Sequence, residues 1–240
     1  MSEEYKYFKN QYLDDIRENY FKPVLDDVFK KYGKNIKVMG DVGCGNGIFS
    51  TYLKREREIT LCGFDASEYA LECALRKGMD KVFLNEDFST RALQVNDAYF
   101  DFVLNKDVLE HLMDPEFLIK EIARVLKPDG LFLLHVPNDF NLWKRIQFVF
   151  SNSIDTYSYC PGAKQWNWPH IRFFTFEGIK ELLHMHGFEI IENYSSFFAH
   201  RLSKIHRIPG YMPVARLLAG RYPSHFSQAV SVLTKRGKKA

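Results

Sequence analysis

Cysteine is scarce in this chain and never paired. Cys44, Cys62, Cys73 and Cys160 form no C-x-x-C and no zinc-ligand spacing, which argues against a zinc ribbon, a zinc finger or a dithiol redox motif. The first three fall in expected strand, turn and helix, so free thiols in a reducing compartment and a cytoplasmic location are expected. No apolar run reaches 18 residues and the polar start MSEEYKYFKN does not read as a leader, so neither a membrane span nor a signal peptide is expected. Repeats, low-complexity stretches, a G-x-S-x-G elbow and a phosphate-binding P-loop are all missing.

Acidic residues are missing from one region only. Residues 193–240 hold nine Lys/Arg and no Asp or Glu, which leaves residues 1–192 with 24 basic against 30 acidic groups. The formal charge of +3 therefore averages an acidic body and a basic C-terminal region. An acidic body offers no continuous phosphate-tracking surface, so no nucleic-acid partner is expected. A chain of 240 residues suits one α/β domain, 1–240, with a core that needs no staples. The 21 Phe and 13 Tyr fit either a ligand pocket or simply a large core.

What is present centres on IKVMGDVGCGNG, residues 36–47. An apolar run ends in Asp41, and glycines follow at 43, 45 and 47 before FSTYLKRE, which reads as a helix. Strand, glycine turn and helix N-terminus are the usual cradle of a nucleotide-like ligand in a parallel sheet. A dinucleotide fingerprint needs its third glycine at position 48, which is Ile48. That departure weighs against a nicotinamide-dependent oxidoreductase.

Along the chain, Tyr5, Phe8, Tyr12, Ile16, Tyr20 and Phe21 recur at helical spacing, and residues 3–32 read as one or two helices, the second opened by Pro23 and stopped at Gly33. Strands are predicted at 36–42, 59–65, 81–84, 100–105, 131–137, 188–195 and 228–236, the last antiparallel beside the sixth. Helices are predicted at 47–56, from Ser67 to before Gly78, from Pro115 to Leu126, and at 176–186 with Thr175 as N-cap. This alternation is the mark of a parallel sheet. Residues 138–174 and 196–227 break it and read as lid or substrate-binding inserts, the first with a helix over 140–149.

Ligands in such sheets sit beyond the carboxyl ends of the strands. Asp65 ends the second strand, where a carboxylate accepts both ribose hydroxyls. Asp87 follows the third and could accept from an adenine amino group, with Phe88 covering the ring. Asn105-Lys106 ends the fourth, where backbone could meet the ligand's other end. A plainer reading, helix capping, stands beside Asp65 and Asp87.

The stretches D41-V-G-C-G-N-G, G63-F-D65, E86-D87-F88, F100-D-F-V-L-N-K-D-V-L-E-H-L112, L126-K-P-D-G130 and H170-I-R-F-F-T-F-E-G-I-K-E-L-L together resemble the class I S-adenosylmethionine-dependent methyltransferases. The likeness covers about residues 36–195 and the last strand, and is nearest to small-molecule enzymes of ubiquinone biosynthesis and of surface-glycan synthesis. It implies a Rossmann-like α/β fold with a seven-stranded, mostly parallel sheet of order 3-2-1-4-5-7-6, strand seven antiparallel and helices on both faces. It implies that Gly43, Cys44 and Gly45 line the methionine and ribose of S-adenosylmethionine, and that Asp41 reaches the methionine amino group. By the same likeness Asp65 holds the ribose, Ala66 and Ser67 border the adenosine, Asp87 and Phe88 hold adenine, and Asn105 offers backbone. The product would be S-adenosylhomocysteine. The reaction implied is in-line transfer of methyl to an oxygen or nitrogen of a small molecule, such as a sugar, phosphorylated or glycan-precursor acceptor.

A hydroxyl acceptor needs a base, for which His170, His111 and Tyr12 are the candidates. His135, Asn138 and Arg172 are candidates for contact with the acceptor. A structural role stands beside each histidine. Asp107 and Asp139 do not make the carboxylate pattern of a metal-dependent catechol-type enzyme, so no metal is expected. The basic insert 196–227 reads as an anion-binding lid, a peripheral membrane patch or a partner interface. A nicotinamide oxidoreductase and a non-catalytic scaffold of the same fold are the competing functions. The oligomeric state is not legible.

Overall fold

The computed structural model describes residues 21–54, 57–151, 170–199 and 208–237. Apolar strands buried on both faces force a layered solution, helices against each side of one sheet. β1 (Val38–Val42), β2 (Thr60–Asp65), β3 (Lys81–Leu84), β4 (Phe100–Lys106), β5 (Leu126–Pro137), β6 (Phe188–Asn193) and β7 (Ala229–Arg236) form one seven-stranded sheet in the order β3-β2-β1-β4-β5-β7-β6. β7 runs antiparallel to both β5 and β6, as expected from the sequence. The turn in strand order lies between β1 and β4, whose registers bring Val42 opposite Asn105.

Period-two alternation divides the core. On β5, Phe132, Leu134 and Val136 face one layer, and Leu131 and Leu133 the other. The first layer packs against α4 (Pro115–Val125) and α6 (Phe176–Met185). The second packs against α1 (Lys22–Tyr32), α2 (Ile48–Lys54) and α3 (Glu68–Arg76). Phe100 and Phe102 share a parity, yet they point to opposite layers, because the β4–β5 register shifts between them. The same irregularity carries β5 back to Leu126, through residues 127–130 that separate the predicted helix and strand; Asp129 absorbs it at φ +64°.

Caps set the helix ends. Ser67 accepts from the Ala70 amide, Asp114 from Phe117 and Thr175 from Gly178. Gly187 closes α6 with φ +77°, whereas Gly33 ends α1 at φ −65° without left-handed geometry. α5 (Leu142–Ser151) stands close to the predicted 140–149, while α7 (Tyr211–Arg221) and α8 (Pro223–Phe226) lie in the second insert. The expected helix over residues 3–20 lies outside the described residues.

Candidate functional site

Every second residue of the loop after β1 has left-handed backbone: Gly43 at φ +76°, Gly45 at +52° and Gly47 at +72°. Only glycine adopts this without strain. A Cβ on Gly43 would also overlap Val108 Cγ2. The loop is pinned to the neighbouring strand, since the amides of Gly43 and Cys44 both donate to the Phe64 carbonyl, at 2.8 and 3.0 Å. Gly63 has a different reason, because a Cβ there would run into Met79.

Two carboxylates flank the loop. Asp41 is buried and accepts from Ser50 Oγ at 2.6 Å. Burial pushes its pKa up to about 7, with Asp65 adding to the rise and the Ser50 hydroxyl opposing it. Asp65 accepts from the Gly45 amide at 2.8 Å and from Ser67 N at 3.0 Å. Its pKa is also raised by burial, against those amide bonds. Asp65 thus ties the loop to the start of α3, while the N-cap role falls to Ser67. Ser67 is buried and Ala66 exposed beside it. Cys44 is buried, and its thiol is held well above the ordinary range by burial and by Asp41.

Asp87, the residue expected at adenine, lies just past β3. Its carboxylate accepts from Ser89 N at 2.8 Å and Thr90 Oγ1 at 2.7 Å, capping its own turn. Phe88 packs into the core with Val42 and Phe64. Asn105 is buried; its amide donates to the Val42 carbonyl at 2.9 Å, and its Oδ1 has no hydrogen-bond partner.

Beyond β4 and β5 polar side chains gather. Asp107 has a positive φ of +55° and lies 3.6 Å from His135 Nε2. Burial works against its ionisation, but the neighbouring Lys106 ammonium wins and holds its carboxyl below the ordinary range. His135 is buried between Phe21 and Phe198, with ring centroids at 4.9 and 4.6 Å. Burial lowers its pKa to about 3. It is therefore neutral and enclosed by aromatic rings. Asn138 is likewise enclosed: it is buried, and its amide donates to the carbonyls of Pro223, Ser224 and Ser227.

His170 and His111 do meet, with ring centroids 5.0 Å apart. Asp139 Oδ2 sits 2.9 Å from His170 Nδ1. A carboxylate there fixes the proton on Nδ1 and leaves Nε2 as the basic nitrogen. Arg172 donates through its side chain to the Met113 carbonyl and through its amide to that of Glu110. Tyr12 lies outside the described residues.

Glu110 is the residue the sequence reading passed over. It is buried, neither carboxylate oxygen has a hydrogen-bond partner, and burial together with Asp107 drives its pKa far up. Its ligating atoms and those of His111 and His170 lie within 4.8 Å of one another. The signal was the adjacency of Glu110 and His111 in one short loop, but His170 is 59 residues further on and only the fold brings it there.

A separate hollow of about 500 Å³ between Asp97, Arg124, His186 and Arg236 lies at the amino-terminal edge of the parallel strands. Its cations are already paired, Arg124 with Glu121 and Asp97 and Lys120 with Glu116. The carboxyl edge remains the candidate site.

Residues 40–134 match the family model described as a methyltransferase domain. The chain is 31% identical over 124 residues to the ubiquinone biosynthesis O-methyltransferase of Pelagibacter ubique, covering 51% of each sequence. It spans about half the length of the curated relatives it matches. Among solved structures, an S-adenosylmethionine-dependent methyltransferase from Mesorhizobium loti superposes with a TM-score of 0.61 at 16% identity, over 92% of this chain and all of that one. The [4+2]-cyclase SpnF superposes at 0.58 and 20%, over 90% and 82%. Those likenesses speak to fold alone, and the second marks that this fold also serves another reaction.

The site's donor set suits the family's cofactor. S-adenosylmethionine carries an ammonium and a ribose diol, and the loop is flanked by one buried carboxylate, Asp41, kept near neutrality by desolvation, and a second, Asp65, fixed by amides. In sheet order, glycine loop and sequence the chain is similar to S-adenosylmethionine-dependent methyltransferases, with residues 40–134 matching a methyltransferase domain and about half its length resembling the ubiquinone biosynthesis O-methyltransferases.

Proposed function

We propose that this chain transfers a methyl group from S-adenosylmethionine to an oxygen or nitrogen of a small molecule. The observation that carries this reading is the pair of carboxylates, buried Asp41 and half-buried Asp65, around the loop of positive-φ glycines. When bound, the cofactor supplies a sulfonium methyl that an acceptor takes by in-line displacement, leaving S-adenosylhomocysteine. The chain's part is alignment and proton handling. Asp41 would meet the ammonium, which repays the desolvation of its carboxylate. Asp65 would accept from the ribose while holding Gly45 and Ser67 in place. Asp139 holds His170, whose Nε2 would take the proton of a hydroxyl acceptor.

The O-methyltransferase relatives favour oxygen as the acceptor atom. Arg172, near His170 in sequence, suits an anionic acceptor such as a phosphorylated or sugar-linked hydroxyl compound. Buried free thiols at Cys44 and Cys62 accord with a reducing, cytoplasmic setting. Thermal unfolding with S-adenosylhomocysteine and with NAD discriminates the enzyme classes: the first should raise the midpoint and the second should not. Transfer of labelled methyl to a panel of hydroxylated acceptors then separates an enzyme from a scaffold that binds without turnover.

A second reading concerns how the acceptor is activated. Glu110, His111 and His170 suit a divalent cation, since Glu110 is buried without a hydrogen-bond partner and Asp139 backs His170 as an outer carboxylate does for a metal-bound histidine. Zinc, manganese or magnesium added to chelator-treated protein would stimulate transfer in that case, and Glu110→Gln would abolish the stimulation.

A further inference from the structure

We propose that the faces of α5 and α7 dock this protein on an anionic bilayer surface, a property separate from the methyl-transfer reading. α5 follows β5 directly at the carboxyl edge of the sheet. Six of its ten residues are large and apolar, namely Leu142, Trp143, Ile146, Phe148, Val149 and Phe150. All are exposed, from 41% at Leu142 to 86% at Phe150. Leu142, Trp143, Ile146, Val149 and Phe150 share one side of the helix, with Lys144 and Gln147 opposite; such an apolar stripe normally faces a core, yet no described side chain of α5 is buried. On α7, Val214 and Leu217 are exposed in the same way, Leu217 at 71%.

The two helices are held together at their roots. The Asn138 amide, just before α5, grips the carbonyls of Pro223, Ser224 and Ser227, just after α7. Asn141 caps α5 through the Lys144 amide at 3.1 Å. Charge selects the occupant. Residues 140–154 contain Lys144 and Arg145 and no acid, and from residue 193 onward the chain has no acid at all. Arg216 and Arg221 stand exposed on α7. Two copies joined through such faces would oppose like charges, whereas acidic headgroups complement them and receive the aromatic side chains at the interface. No helix among the described residues is long and apolar enough to cross a membrane, so the helices would lie in the surface plane.

The test is co-sedimentation of the full chain with vesicles of phosphatidylcholine alone and of phosphatidylcholine with roughly one quarter phosphatidylglycerol. Binding to the anionic vesicles should be at least about tenfold stronger and should weaken as salt is raised. F148S/F150S should lose about tenfold or more, and R145E/R216E should lose the preference for anionic lipid while binding neutral vesicles as before. These side chains are exposed, so circular dichroism should report an unchanged fold. Equal binding of wild type and F148S/F150S would overturn the proposal. So would sedimentation equilibrium in which wild type dimerises, F148S/F150S stays monomeric and neither binds vesicles.

Discussion

Around β2 and β3 the strand-end carboxylates are tied to backbone: Asp65 to the amides of Gly45 and Ser67, Asp87 to that of Ser89. Past β4 and β5 the polar side chains meet one another instead, Asp139 with His170 and His111 with His170, while buried Glu110 has no hydrogen-bond partner. Backbone-tied groups have fixed positions before any ligand arrives, which suits recognition of a constant cofactor. Groups that depend on distant side chains can be retuned by single substitutions, which suits a variable acceptor.

The predictions press on that division. The largest effect should come from His170→Ala, which removes the proposed base: turnover of a hydroxyl acceptor should fall about 10²–10⁴-fold, with cofactor affinity unchanged in calorimetry. Lost cofactor binding would move His170 to the other half. Next comes Asp41→Asn. The native pKa of about 7 lies above the ordinary 3.8, so the unfolded state sheds this proton first. Stability is fullest below the ordinary value and declines as pH rises through about 7. Asn removes that decline, so chemical denaturation at pH 8 should find the variant more stable by roughly 2–4 kcal/mol and no different at pH 4. A constant difference across pH would contradict the burial argument. Asp65→Ala should weaken cofactor binding by roughly 1–3 kcal/mol through lost charge-assisted bonds. Smallest is Arg216→Ala on the exposed face of α7, where thermal unfolding should shift stability by no more than about 0.5 kcal/mol.

How much was readable follows the same line. The sheet order came through the family resemblance, and the antiparallel last strand and the cap at Thr175 through local pattern. The glycine loop was legible because positive φ leaves a compositional trace. His135 and Asn138 were read as acceptor contacts and both lie buried. A polar residue at a strand end looks the same in sequence whether it faces the crevice or the neighbouring layer, and Phe198 and Pro223, which enclose them, come from the far insert. Asp87 was legible as a carboxylate in the right place, but its engagement by Ser89 and Thr90 depends on turn geometry. Glu110 escaped because its isolation is a property of burial, which nothing within the loop signals.

The most direct measurement is a crystal structure of the chain with S-adenosylhomocysteine. The account predicts adenosine across the ends of β1 to β4, its ribose hydroxyls on Asp65 and its amino group toward Asp41. Adenosine bound elsewhere, or a crevice beside Gly43 filled by protein side chains with ligand present, would contradict it.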